Sequence, residues 1–407
     1  MGIKKLQGTL LLSLVVAGAA GASADAAEIS GRSSTSFQWF DNQLNNNRTQ
    51  VELGEYLRIS VTNIDKEGKF SLQGYGRGTQ DFTTGEGLNG RLYYLYGEYR
   101  NLFDKADIRV GRQFVNMAAG NAIIDGAQVD LKNIGPVGFS VMGGHEVVYG
   151  LNGDVGNGGK AAMGVSAYLV GFKQTDLELG WFRKTDESDI TRDVLGVNFK
   201  QYLLSNVKLY GNAKFDLVSE SFNEVLAGVK YYPTANLIFT GEYYQSYATF
   251  DANSIYAVFA VNRYREGVAR AEYTLNDKLS LNAGYTREEF GDDGSANVYH
   301  IGAGYRPFDP LKINLELDKR QGYYGSVDGF IVDAAYDLNK TVQLAGGINF
   351  DSYQRDALTG DEIARRYWLG GKCKLAKNMA VSGRIQDDVN VTYSKNISGR
   401  LVFYYDF

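Results

Sequence analysis

The sequence predicts an all-β protein: a single closed antiparallel transmembrane β-barrel of about 20–22 strands with short periplasmic turns. Three observations carry this. Polar and apolar residues alternate with a period of two along most of the chain, short breaker clusters cut the alternation into hairpins, and no stretch after residue 30 could cross a membrane as a helix. The longest apolar run there is "YAVFAV", far short of the ~20 residues a spanning helix needs.

The alternation is clearest in four stretches. In "NVKLYGNAKFDL", Val207, Leu209, Gly211, Ala213, Phe215 and Leu217 share one face, and Lys208, Tyr210, Asn212, Lys214 and Asp216 share the other. "KLSLNAGYTREEF", "LKINLELDKR" and "TVQLAGGINFD" divide the same way. Each is long enough for a tilted strand to span a bilayer, which takes about 9–11 residues.

Between such runs lie "NIDKEGK", "LFDKAD", "KNIGPVG", "FKQTD", "LLSNV", "YPTAN", "TLNDK", "RPFDPL", "DLNKT" and "LAKNM". They recur about every 30–42 residues, which is the period of a repeated hairpin. All 4 prolines fall in these turns, and proline cannot donate to a strand ladder. The opposite hairpin ends carry somewhat longer polar loops, such as "EEFGDDGSAN" and "YQRDALTGDE". A sheet this large must split or close, and only closure satisfies a lipid-exposed backbone. A soluble β-sandwich or a secreted β-solenoid fits the turn asymmetry and the aromatic content less well.

Composition agrees. Gly numbers 49 and Tyr 29, against Pro 4 and His 2, and the net charge of −5 leaves no footprint of nucleic-acid binding. Residues 1–24 read as a secretory signal peptide: Lys4 and Lys5, an apolar stretch, then Ala22-Ser23-Ala24. A second cleavage match, Ala24-Asp25-Ala26, would move the cut to 26. Residues 25–407 are expected to form one barrel domain, with no composition shift to mark another. The single cysteine, Cys373, allows no intrachain disulfide and no Cys-x-x-Cys-His haem attachment; its place in the alternation makes it a small packing residue.

The chain stops on "SGRLVFYYDF", with Leu401, Phe403, Tyr405 and Phe407 on one face. Tyr202, Tyr231, Tyr232, Phe308 and Tyr336 flank the tight turns, where amphipathic rings would sit at headgroup depth. This pattern resembles that of Gram-negative outer-membrane β-barrel porins. The resemblance covers the mature chain and implies a cell outer-membrane location, reached by a signal peptide. It implies contact with outer-membrane lipids, and a C-terminal assembly signal in Phe403, Tyr405 and Phe407 read by the barrel-assembly machinery. It further implies a water-filled channel for passive diffusion of small hydrophilic solutes or ions, and a homo-oligomer.

The residues themselves offer no enzyme site. His145 and His300, each expected near a loop-side strand end, lack a nucleophile motif, "GNGGK" lacks P-loop spacing, and "GDDGSAN" lacks a full calcium-ligand series. No catalytic, metal or cofactor site is expected. Instead, alternation turns Arg58, Arg77, Arg109, Lys208, Lys214, Arg270, Lys312, Arg320, Arg384 and Arg400 inward, together with Glu178, Asp216, Glu242, Glu272, Glu288, Glu316 and Asp318. Such mixed rings set solute preference in a pore, although many would simply pair across strands.

One difficulty follows. Barrels of 16–18 strands already leave an aqueous channel. The sequence shows no plug domain and no outer loop long enough to fold inward, so either the strand count is lower or a partner fills the lumen. The stretch "IRVGRQFVNMAAGNAIIDGAQVDL" is similar to stretches in the barrels of porin–cytochrome conduits. That resemblance implies an alternative: a sheath holding a multihaem c-type cytochrome for electron transfer across the outer membrane.

Overall fold

The computed structural model describes residues 27–42, 48–83, 85, 87–150, 155–156, 159–248, 262–323, 325–354, 360–391 and 395–407. The segment read as a signal peptide and the centre of "YQRDALTGDE" lie outside the described residues.

The chain first forms β1 (Glu28–Asn42), β2 (Arg48–Thr62), β3 (Phe70–Asp81), β4 (Asn89–Leu102), β5 (Ala106–Met117) and β6 (Gly120–Ile134). There follow β7 (Val137–Glu146), the minor pair β8 (Val148–Tyr149) and β9 (Val155–Gly156), β10 (Lys160–Phe172), β11 (Thr175–Asp186) and β12 (Asp189–Leu203). The second half contains β13 (Val207–Asp216), β14 (Ser221–Thr234), β15 (Leu237–Ser246), β16 (Tyr264–Asn276), β17 (Leu279–Phe290) and β18 (Ser295–Phe308). The last are β19 (Leu311–Gly322), β20 (Ser326–Asp337), β21 (Val342–Gln354), β22 (Glu362–Ala376), β23 (Met379–Val389) and β24 (Ile397–Asp406).

Apart from β8 and β9, all of these strands join one 22-stranded sheet, each antiparallel to its sequence neighbours. β1 pairs with both β2 and β24, so the sheet closes and has no free edge along its seam. Every breaker cluster named above is a turn at one end of the barrel. At the β2–β3 turn the Phe70 amide donates to Asp65 at 2.7 Å, which holds that carboxyl below its usual range. The β10–β11 turn places Lys173 and Gln174 at φ 51° and 63°, left-handed as a tight hairpin demands although neither residue is Gly or Asn. Register on both flanking strands overrides local preference there.

The chain end is locked into this wall. Phe407 exchanges both backbone hydrogen bonds with Gly31, at 2.9 and 3.1 Å, and Arg32 clamps Asp406. Register puts Leu401, Phe403 and Tyr405 on the outward face with Phe37, Val381 and Met379. Leu195, Val197 and Phe199, or Ile313, Leu315 and Leu317, continue the belt on other strands. Ile301 and Leu369 are 60% and 63% exposed, a position that water does not favour and hydrocarbon does. Cys373 lies in this outward row between Val342 and Val381. A closed barrel with such a belt is the construction of an outer-membrane protein.

Candidate functional site

The lumen wall is the face opposite the belt. Register places every basic and acidic residue predicted to point inward on that face. They do not behave alike. Arg109 bridges Glu98 at 3.2 Å and Asp130 at 3.4 Å, Lys214 pairs with Glu224 at 2.9 Å, and Arg320 pairs with Glu288 at 3.1 Å. Arg270 stands 4.0 Å from Glu242, whose other oxygen accepts the Tyr210 hydroxyl proton. His300 lies well inside β18 rather than at a strand end, with Nδ1 2.7 Å from Asp318. Arg384 stacks on Trp368 at 4.3 Å, and Lys208 lies over Tyr210 at 5.4 Å. Arg58, Glu272, Lys312 and Arg400 are exposed to the lumen with no charged partner among the described residues.

Asp216 needs correcting. It faces inward but is 3% exposed and accepts the Val218 and Ser219 amides, so it caps the turn after β13 rather than meeting solutes.

The larger correction concerns the lumen itself. The strand count is not too high; the chain supplies its own filling. β5 leaves β4 above the Leu95–Arg112 pair, and β6 leaves β7 above Ile124–Glu146, yet β5 and β6 stay paired to Met117–Gly120. Gly111, at φ +127°, makes the bend; a methyl there would lie 2.4 Å from Leu95 O. Beyond it the hairpin turns inward and lies on the inner faces of β10, β11 and β12. The Ala118 amide donates to Glu178 at 3.0 Å. Met117 reaches over Gly164, and Ala118 sits so close to Gly196 that a methyl there would lie 2.3 Å from Ala118 O.

Between hairpin and wall is the buried apolar cluster of the molecule: Val115, Met117, Ala122, Ile124, Met142 and Phe182, joined by Ala119, Ala162 and Val194. The other hairpin face carries Phe114 and Asn116, both exposed. A cavity of about 280 Å³ remains beside the tip, lined by Asn121, Lys184, Arg192, Lys214, Asn223 and Glu224 among others.

The expectation of no inward-folding loop failed because loop length was the wrong measure. The connection is two residues long, and the reach comes from strands that outrun the wall. The signal was present in "VNMAAGNAI": apolar and small residues where the other loops are polar. The wall signalled it too, since inward positions Gly164, Gly180, Phe182, Val194 and Gly196 are uncharged in an otherwise charged ladder.

Where β5 parts from β4, side chains take over the lost ladder. Arg112 holds Asp125 through two bonds of 2.7 Å and donates to Leu92 O at 3.2 Å, and Tyr149 donates to the same carbonyl at 2.5 Å. Arg91 stacks over the Tyr149 ring at 4.7 Å.

No protein family and no curated relative matches the sequence. Among solved structures the chain is similar to OccK1 (OpdK) of Pseudomonas aeruginosa, with TM-score 0.49 and 11% identity over 94% of this chain and 98% of that one. It is also similar to OccAB1 of Acinetobacter baumannii (TM-score 0.45, 11% identity, 94% and 98% covered) and to OpdQ of P. aeruginosa (0.45, 11%, 95% and 99%).

Proposed function

We propose that this chain is an outer-membrane channel, not an enzyme, through which small hydrophilic solutes or ions diffuse passively. The observation that carries the reading is the contrast between faces. An apolar belt surrounds a wall that carries many charged residues at inward positions on β13–β24 and β1–β4, and Arg58, Glu272, Lys312 and Arg400 are open to solvent with no charged partner among the described residues. A water-filled lumen is the environment in which such groups are stable without partners. The inward hairpin narrows a barrel that would otherwise leak.

Nothing favours the cytochrome-sheath alternative, because the chain's own hairpin occupies lumen that a partner would need. Phe403, Tyr405 and Phe407 on the outward face suit a C-terminal signal for the assembly machinery, and the outward aromatics suit lipid headgroups. The test is single-channel recording of purified protein in planar bilayers. A stable ohmic pore supports the reading; a barrel that inserts and passes no current defeats it.

A further inference from the structure

We propose that His300, Asp318 and Asp351 form a proton-operated charge switch in the lumen wall, which moves the pore's ion preference toward anions when the surroundings turn mildly acidic; this rests on the channel reading above. Register places the three in one inward row. Arg270 pairs with Gly284, Gly284 with His300, His300 with Asp318, Asp318 with Gly329 and Gly329 with Asp351. His300 Nδ1 lies 2.7 Å from Asp318, and the two side chains are 35% and 41% exposed. Gly329 leaves a bare step in the row: a methyl group there would collide with Asp351 Oδ1, so the Asp351 carboxylate lies across the glycine on the side of Asp318.

Two carboxylates thus share one imidazole. Among the described residues Asp351 has neither an ion-pair partner nor a hydrogen bond, and His300 bonds through Nδ1 alone. With Asp318 ionised, Nδ1 must carry the proton of that bond, so Nε2 is the acceptor left open to the lumen. The charged groups around the row are largely held in pairs. Arg320 on β19 bonds Glu288 on β17 at 3.1 Å, Arg366 on β22 bonds Asp388 at 2.5 Å, and Arg270 on β16 stands 4.0 Å from Glu242. Asp333 on β20 accepts from Asn314 at 2.7 Å, and Glu316 on β19 completes the acids of this wall. Arginine and carboxylate side chains ordinarily keep their charge between about pH 5 and about pH 8, whereas histidine ordinarily changes it there. The other histidine, His145, stands on β7 opposite Asp125, at the root of the inward hairpin.

With the ring uncharged, the row presents two carboxylates to the lumen and favours cations. A proton taken from lumen water onto Nε2 adds one positive charge, turns the Asp318 contact into an ion pair and leaves Asp351 as a single carboxylate beside it. In a pore lined by fixed pairs, this is the step in wall charge that mild acidity can drive.

The experiment reads reversal potentials in a potassium chloride gradient across planar bilayers, from about pH 8 down to about pH 5. The ratio of potassium to chloride permeability should fall about twofold in one step, the size expected for a unit charge about 10 Å from an ion in water. His300→Gln should remove the step, and His145→Gln should keep it. Asp351→Asn should lower cation preference at the alkaline end and leave the step in place. An unchanged step in His300→Gln, or its loss in His145→Gln, overturns the switch. An insulating barrel defeats the channel reading. Imidazole NMR of the detergent-solubilised protein, with the His300 signal identified by its loss in His300→Gln, then still decides: a ring that takes up no proton across this range overturns the switch, and one that does supports it.

Discussion

Two stretches of the same inner wall, β10–β12 and β2–β4, obey the same alternation and carry opposite chemistry. Under the hairpin, the inward positions of β10–β12 include Ala162, Gly164, Gly180, Phe182, Val194 and Gly196, with Glu178, Lys184 and Arg192 around them; on β2–β4 they include Tyr56, Arg58, Tyr75, Arg77 and Arg91. The first stretch is covered by the β5–β6 hairpin and is built like a small hydrophobic core. The second faces water. The inward face of this barrel loses most of its charge where the hairpin lies on it, and Glu178, the charge kept there, bonds the hairpin itself.

The strongest way to break the contrast is at the covered wall. Phe182→Ala removes the largest buried side chain of the cluster and should cost hairpin docking about 3–5 kcal/mol. Single-channel conductance should rise and become noisy. Gly196→Val, which drives side-chain atoms into Ala118, should have the same outcome, while Gly241→Ala, where a methyl would meet only Val229 at 3.5 Å, should leave conductance unchanged. Quiet wild-type currents from both wall variants, Phe182→Ala and Gly196→Val, would show that docking does not limit the pore.

Glu178→Ala should be milder. It deletes a charge-assisted hydrogen bond to the Ala118 amide, worth about 1.5–3 kcal/mol, and should appear as open-channel flicker rather than a larger pore.

The open wall sharpens the comparison through arginines of unequal standing. Arg109→Gln leaves Glu98, 7% exposed, with less compensation and should lower stability in urea by about 1–3 kcal/mol. Arg77→Gln should leave the urea midpoint unmoved and shift the reversal potential in a salt gradient toward cations, because a lumenal cation is lost without freeing a buried acid. If both variants lost the same stability, the distinction between paired and solute-facing arginines would be wrong. The smallest effect belongs to Tyr210→Phe, which releases Glu242 from one hydrogen bond and should add slightly to cation preference.

Much of the barrel was legible from residue order. The hairpin ends near Pro310 and near Pro233 and Pro307, which close β14 and β18 rather than lying in the turns themselves, and faces such as Val207 to Phe215 against Lys208 to Lys214, follow from steric and solvation rules that act within one strand. His300 was harder, because a residue's depth along a strand depends on where the turns fall. Asp216 was misread for a related reason: alternation assigns a face, but two backbone amides from the following turn decided whether that carboxylate meets water.

The sequence by itself determined that this is a closed sheet with an outward apolar belt, and which side chains look each way, because alternation is local and a one-residue slip would turn every side chain over. Only the tertiary structure decided that β5 and β6 leave the wall and cover β10–β12. That outcome depends on the bend at Gly111 and on Ala118 and Gly120 meeting Gly196 and Phe182, residues far apart in sequence that come together only in the folded barrel. The pairing of β2 with β3 and of β3 with β4 brings Arg58, Tyr75, Arg77 and Arg91 together, since strand register, not spacing along the chain, sets which side chains become neighbours.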